Sequence, residues 1–397
     1  MNILSISSGS TTIKIKLFKM PEEEVLFSGS IKNIGSKNSN ISIISNSFKE
    51  IEKIVVINTH KEGILVFYDK LSNLNIVPEE EISQISAIGH RIIHAGEKYS
   101  KSLVVDKKFL TSVKEYSEFA PLHIPPSISV IEACIEVFPK IKNIAVTDTG
   151  FFREVPEKSM LYALPYKYYK DFNIRKNNFH GIAYASMVER VEKITKKKKE
   201  QIKFIGIMLG GGSSIIANRY GMPVENSIGF TPTGGLPMST RCGDIDPSIL
   251  FFISRKKNIS FKKLEEIINK ESGLFGLSEK FYDFKDIEDG FKKKDPACKR
   301  AFEYYSHTIK KYIGSYIASM NGVDVISFGG GVGENSYLLR ENILANLDSL
   351  GILLDSSKNK NIKGEGIISN STSKTMICVT KIDEEKIIAK ETYNLLS

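Results

Sequence analysis

ILSISSGSTTIKIKLF, residues 3–18, sets two apolar strand halves about a tip of small and hydroxylated residues. Ile3, Leu4 and Ile6 lead into Ser7-Ser8-Gly9-Ser10-Thr11-Thr12, and apolar residues then alternate with Lys14 and Lys16, the period of a half-buried strand. The pattern is that of a β-hairpin. It returns at residues 204–218, where an apolar strand enters Gly210-Gly211-Gly212-Ser213-Ser214 and leaves as Ile215-Ile216-Ala217. A tip of this kind presents backbone N–H groups and hydroxyls without bulk, so a phosphate can approach closely. One copy alone favours the ordinary polar turn; two copies point to a chain of two related halves.

Neither copy is a GxxxxGK[ST] phosphate loop. A phosphate hairpin with no helix directly after it points to an α/β chain of the duplicated actin-like ATPase architecture, shared by sugar kinases, actin and heat-shock chaperones, with two domains around a central cleft. The expected division is residues 1–150, completed by the C-terminal helix 384–397, and residues 151–383.

The 397 residues are 41% hydrophobic and 25% charged, enough for large cores and two domains. No apolar run approaches the roughly 20 residues that span a bilayer, and no basic-then-apolar leader opens the chain, so a soluble protein without a membrane partner is expected. Cys134, Cys242, Cys298 and Cys378 are scattered without CxxC spacing, which fits a reducing cytoplasm. The formal charge of +9 is lysine spread over many segments, without an arginine-rich or aromatic-interleaved patch, so no nucleic-acid partner is expected.

Several residues stand out along the chain. Arg91 lies in a strongly apolar strand, where a guanidinium needs an anion; a bound carboxylate or phosphate and an internal salt bridge are the two readings. His90 and His94 read as structural. Prolines make 120–126 a rigid connection carrying His123. Asp148 stands at the carboxyl end of a strand, where α/β folds bind ligands, or caps a turn. His180 precedes a helix N-terminus, where an anion is favoured. Arg241 lies in a turn-rich loop with Asp244 and Asp246 as candidate salt-bridge partners, Asp246 being also the natural cap of the next helix. Residues 329–335 read as a glycine-rich loop at a helix start, and Glu384 sits among acidic residues that also suit a helix N-terminus.

Taken in order, GSTTIK (9–14), GHRIIHAGE (89–97), APLHIPP (120–126), TDTGF (147–151), NFHG (178–181), GGGSS (210–214), GFTPTGGL (229–236), TRCGDIDP (240–247), DFKDIE (283–288), FGGGVGENS (328–336) and DEE (383–385) span almost the whole chain and resemble the acetokinase family of short-chain carboxylate kinases. The resemblance implies a homodimer and reversible phosphoryl transfer between ATP and acetate, giving acetyl phosphate and ADP with magnesium or manganese. It implies that Asp148, His180 and Arg241 are catalytic. Arg91 and His123 would bind the reacting groups, and Ile93, Leu122, Phe179 and Pro232 the acid's methyl group. Lys14, Met208, Leu209, Gly210, Gly211, Gly212, Ser213, Asp283, Phe284, Lys285, Gly330, Gly331, Val332, Gly333, Glu334 and Asn335 would hold the nucleotide, with Ser7 and Glu384 on the metal side. Domain closure would keep water from the phosphoryl group. Propionate or another short acid is the alternative substrate, and a nucleotide-binding regulatory protein of the same fold the alternative class. Against the family's pattern, Ser7 and Gly211 replace asparagine, Met208 histidine, Lys285 arginine, Gly234 glutamate, and Ile182-Ala183 a Thr-Ser pair; each change removes polar contacts.

Overall fold

A computed structural model describes residues 1–45, 48–73, 84–118, 120 and 123–397. The chain divides into two compact units, the first made of Met1–Arg153, Phe179–Ser186 and Asp383–Ser397, the second of Glu154–Asn178 and Met187–Ile382. Residues 151–153 and 179–186 therefore group with the first unit and not with residues 151–383. Within that unit the backbone N–H of Ile182 donates to Asp148, and Ile182 packs with Ile144, Val146, Ile387 and Ile388.

Unit 1 is built on an eight-stranded sheet. Its strands are β1 (Asn2–Ser8), β2 (Ile13–Lys19), β3 (Glu24–Lys32), β4 (Ser39–Ser45), β5 (Phe48–Val55), β6 (Ile85–Ile92), β7 (Leu103–Val104) and β8 (Lys142–Thr147), in the order β5-β4-β3-β2-β1-β6-β8-β7. Period-two patterning gives the sheet two faces. Leu4, Ile6, Ile13, Ile15 and Leu17 pack with Ile64 and Phe67 of the helix His60–Asn73 and Val130 of the helix Ile124–Val137. Ile3, Phe18 and Ala87 turn the other way, onto Ala389 of the C-terminal helix Glu384–Leu396.

Unit 2 carries β9 (Lys203–Leu209), β10 (Ser213–Arg219), β11 (Met222–Asn226), β12 (Val325–Gly329), β13 (Gly366–Ile367) and β14 (Met376–Val379), in the order β11-β10-β9-β12-β14-β13. Its core joins β9, β10, β12 and β14 to Phe302, Tyr305, Ile309 and Ile313 of the helix Pro296–Met320. In unit 1, β1 is antiparallel to β2 and parallel to β6, which is parallel to β8. In unit 2, β9 is antiparallel to β10 and parallel to β12, which is parallel to β14. The arrangement β3-β2-β1-β6-β8 thus recurs as β11-β10-β9-β12-β14. The duplication legible in the two hairpins is a duplication of topology, the pattern of the actin-like fold.

Two local readings change. Pro125 and Pro126 belong to the first turn of the helix Ile124–Val137, not to a rigid loop, because proline's missing N–H lies where a helix leaves its first donors unpaired. Residues 330–335 form a short helix, Gly330–Asn335, ahead of a second that starts at Tyr337 under a Ser336 cap. A Cβ on Gly330, which has φ +77°, would come within 2.5 Å of the Leu209 carbonyl oxygen, so only glycine lets this helix lie on the end of β9. Among the described residues no helix is long and apolar enough to cross a membrane.

His90 tests how this core answers acid. Its ring is buried with Nε2 2.7 Å from the Asn143 side-chain oxygen, and burial, only partly offset by that bond, holds its pKa down at about 4. Since its unfolded value lies near 6.5, stability is full above that pH and falls as pH drops toward 4, by roughly 3 kcal/mol. The urea midpoint should fall between pH 6.5 and 4.5, and His90→Gln should flatten that fall. Equal slopes in both proteins would assign the effect to other groups.

Candidate active site

In unit 1, β6 and β8 run parallel with Arg91 opposite Val146, so the Arg91 side chain starts beside the strand end that carries Asp148. Arg91 Nε and Nη2 donate to Asp148 Oδ2 at 3.1 and 2.7 Å, and Nη1 donates to Glu384 Oε2 at 2.9 Å. Of the two readings of Arg91, the internal ion pair is therefore realised, with two carboxylates. Burial works against its charge, but Asp148 and Glu384 outweigh that and raise its pKa. Two guanidinium N–H groups remain beyond those three bonds.

Asp148 is fully buried. Its Oδ1 accepts the backbone N–H of Ile182 at 3.1 Å, in the first turn of the helix Gly181–Thr195. A Cβ on Gly181 would lie 1.9 Å from the Asp148 carbonyl oxygen, so glycine is required for this approach. With both carboxylate oxygens engaged, Asp148 is built to orient Arg91 and the helix start. His180, just before that helix, holds a left-handed φ of +66°, uncommon for a residue with a side chain and costing about 1 kcal/mol or more.

Glu384 is fixed by the capping of its own helix. The Asp383 side chain accepts the N–H of Lys386 and pairs with Lys16 at 2.8 Å, and the Ser5 hydroxyl donates to the Glu385 carbonyl at 2.6 Å. Ser7 donates to Glu384 Oε2 at 3.4 Å, on the oxygen that Arg91 already holds. Glu384 Oε1 has no protein hydrogen bond among the described residues. Lys14 is exposed and pairs across the hairpin with Ser7. Ile93 and Phe179 are buried, Phe179 with its ring 5.9 Å from that of His94. His123 precedes the helix Ile124–Val137, its carbonyl accepting the Ser127 hydroxyl at 3.0 Å. Leu122 lies outside the described residues.

In unit 2, Arg241 does not pair with Asp244 or Asp246. Asp244 accepts the Tyr312 hydroxyl and the N–H of Gly235 on its two oxygens, and Asp246 Oδ1 accepts the N–H of Ser248 at 2.8 Å, ahead of a helix whose N-cap is Pro247. Arg241 Nη1 instead meets the Pro232 carbonyl and Met238 Sδ, both at 3.3 Å. Burial pulls its pKa down, and no carboxylate among the described residues balances it.

At the second hairpin, Leu209 is in the core and the Ser213 hydroxyl is sealed inside, 2.5 Å from that of Tyr305. Met208 and the glycines are more open, with no atom within 4 Å of a Cβ placed on Gly211. This tip therefore offers backbone groups. Phe284 is buried, Asp283 caps its helix through the N–H of Lys285, and the Lys285 side chain is exposed. In Gly330–Asn335, Gly331 and Asn335 are exposed, the Asn335 amide donating to the Gly331 carbonyl at 2.7 Å, and Gly333 is buried. Val332 packs against the core and Glu334 is half-buried. Sequence reasoning missed Tyr305, hidden among the apolar positions of its helix, and Arg340, a lone arginine among buried leucines, a signal of the kind that singled out Arg91.

The chain is 40% identical over 400 residues to an acetate kinase of Thermotoga maritima, covering 100% of this chain and 99% of that protein. Two solved structures are similar to it at a TM-score of 0.91: the acetate kinase of Porphyromonas gingivalis, at 33% identity with both chains covered fully, and a propionate kinase of Francisella tularensis, at 34% identity over 99% of each. Residues 2–390 match the Acetokinase family, and with those relatives along its whole length the chain belongs to that family.

Proposed function

We propose that this protein transfers a phosphoryl group reversibly between ATP and acetate, forming acetyl phosphate and ADP. The observation that carries the reading is the pair of arginines: Arg91 locked between Asp148 and Glu384, and Arg241, half-buried with no carboxylate paired to it among the described residues, in a chain that follows acetate kinases end to end. Acetate titrates near about 4 and is ionised at neutral pH, so the acceptor needs no strong base. The difficulty is bringing two anions together, and fixed positive charge aimed at the in-line transition state meets it.

Arg241 neutralises the transferring phosphoryl group, and His180 donates to its equatorial oxygens. The two remaining N–H groups of Arg91 serve the reactants, with Asp148 orienting it and His123 supporting the phosphoryl group. Ile93 and Phe179, both buried in unit 1, are assigned to the acid's methyl group. The peptide groups at 210–212, together with Lys14, Lys285 and the exposed part of Gly330–Asn335, hold the nucleotide. Asp148, Glu384 and Arg91 sum to one net negative charge, and Glu384 Oε1 together with the Ser7 hydroxyl supplies hard oxygen donors. That fits magnesium, which keeps waters and takes only one or two carboxylates beside substrate phosphates. Bound there, the ion would screen the phosphate charge.

Self-association is assigned to unit 2. No residue of the helix Ser248–Lys257 is buried, and Ile249, Phe251 and Phe252 are exposed, an apolar row suited to a second copy of the chain. The four unpaired cysteines accord with a cytoplasmic enzyme.

With ATP, Mg²⁺, acetate and hydroxylamine the protein should yield acetyl hydroxamate, and Arg241→Ala should lower the rate by about 10³-fold or more. Failure with every short acid and divalent metal would favour a nucleotide-binding protein without turnover. Propionate should be a poorer substrate than acetate by about tenfold, the scale of one methylene in a fitted pocket; parity would mean the pocket holds the longer acid. Asp148→Asn should lower kcat without changing the shape of the pH–rate profile, whereas loss of an acidic limb would mark Asp148 as the base. Sedimentation should find a dimer that Phe251→Glu/Phe252→Glu dissociates, and a monomeric wild type would remove that assignment.

A further inference from the structure

Unit 2 encloses a cavity of about 290 Å³ edged by Glu334 and Asn335 and walled by Arg340, Lys360, Lys363 and Lys381. Arg340 decides its chemistry. It is 1% exposed, and every acceptor it meets is neutral: Nε donates to Asn359 Oδ1 at 2.7 Å, Nη2 to the Asn359 carbonyl at 3.0 Å, and Nη1 to the carbonyls of Gly333 and Glu334 at 2.7 and 3.0 Å. Four of its five N–H donors are used and one is left. Burial pushes its pKa down to about 10, so it stays cationic at neutral pH.

A buried guanidinium whose hydrogen-bond acceptors are all neutral, with the Glu288 charge only partly offsetting its burial, gains more from an incoming anion than an exposed one does. Around it, Lys360, Lys363 and Lys381 have no carboxylate within ion-pair distance among the described residues, and Lys360 lies over the Tyr337 ring at 5.9 Å. The opposing charge is Glu334, whose Oε1 accepts the N–H of Ile382 at 3.4 Å. Among the lining residues four cations stand against one carboxylate, three net positive charges around a space too small for a nucleotide but ample for a phosphate with a short organic group.

We propose that this cavity binds a small phosphate-bearing anion and regulates the enzyme through it. A ligand on Arg340 braces the carbonyls of Gly333 and Glu334, and with them the end of Gly330–Asn335. The regulatory half rests on the nucleotide role given to that helix under Proposed function; the binding half does not.

Calorimetric titration of the full chain in low-salt buffer free of other oxyanions separates the two. The probes are inorganic phosphate and glycerol 3-phosphate, and the background is Arg241→Ala, which removes phosphate affinity at the reaction site. Saturable binding should persist in Arg241→Ala, weaken about tenfold or more in Lys363→Glu/Lys381→Glu, and survive in Lys363→Arg/Lys381→Arg. Whichever probe binds tighter identifies free or esterified phosphate as the source, and either order supports the site. In steady-state assays the preferred probe should shift the KM for ATP in the wild type and leave it unshifted in Lys363→Glu/Lys381→Glu. No saturable heat, heat lost in Arg241→Ala, or heat unchanged in the charge-reversed protein overturns the site. Intact binding with an unmoved KM overturns only the regulation.

Discussion

Asp148 sits at a fixed distance from three things at once: the guanidinium of Arg91, the N–H of Ile182 and, through Arg91, the carboxylate of Glu384. These groups come from β6, the end of β8, the start of the helix Gly181–Thr195 and the start of the C-terminal helix, four segments spread over the sequence. Removing one partner would strand a buried charge at a cost of about 3–5 kcal/mol. The terminal helix and residues 179–186 are thereby held to unit 1 by electrostatics as well as by the apolar contacts of Ile182, Ile387 and Ile388. The left-handed backbone of His180 lies two residues before Ile182, whose N–H is fixed on Asp148.

The two arginines divide the electrostatic work unequally. Arg91 is over-compensated by two carboxylates, leaving a local excess of negative charge of the kind that draws a divalent cation. Arg241 is under-compensated, and Asp244 and Asp246, which stand close in sequence, are turned to Tyr312, Gly235 and Ser248. Had either aspartate closed on Arg241, the guanidinium would meet an incoming phosphoryl group already neutralised. The turn and helix-cap chemistry of 243–248 keeps that charge unspent.

The elements that could be read from the sequence were those whose signal is local. The alternation at 13–17 and the tips at 7–12 and 210–214 depend on neighbours a few residues away. What could not be read is what distant residues decide. Nothing at Asp148 announces that it will meet Ile182, and nothing at Arg91 says that Glu384, 293 positions later, will be its second carboxylate. The same holds for Ser213, which reads as a ligand hydroxyl until Tyr305 seals it, and for Phe284 and Leu209, whose side chains the core takes. At Pro125 and Pro126 the signal was local but two-valued, since proline both stiffens loops and opens helices.

The substitutions that set this chain apart from its family's pattern fall mostly on polar side chains around the proposed nucleotide and metal contacts: Ser7, Met208, Gly211 and Lys285. None replaces Arg91, Asp148, Glu384 or Arg241, although Ser7 donates to Glu384 and Ile182, which departs as well, meets Asp148 through its backbone N–H. Backbone donors do not depend on side-chain identity, and the hairpin that carries them is tied to the helix Pro296–Met320 by Tyr305 and Ser213. The tip keeps its shape although glycine at 211 contributes no side chain. The physical expectation is a division of effects: affinity at the proposed nucleotide and metal contacts bears the losses, whereas the charges proposed to act on the reacting atoms, the ion cluster and Arg241, are unchanged.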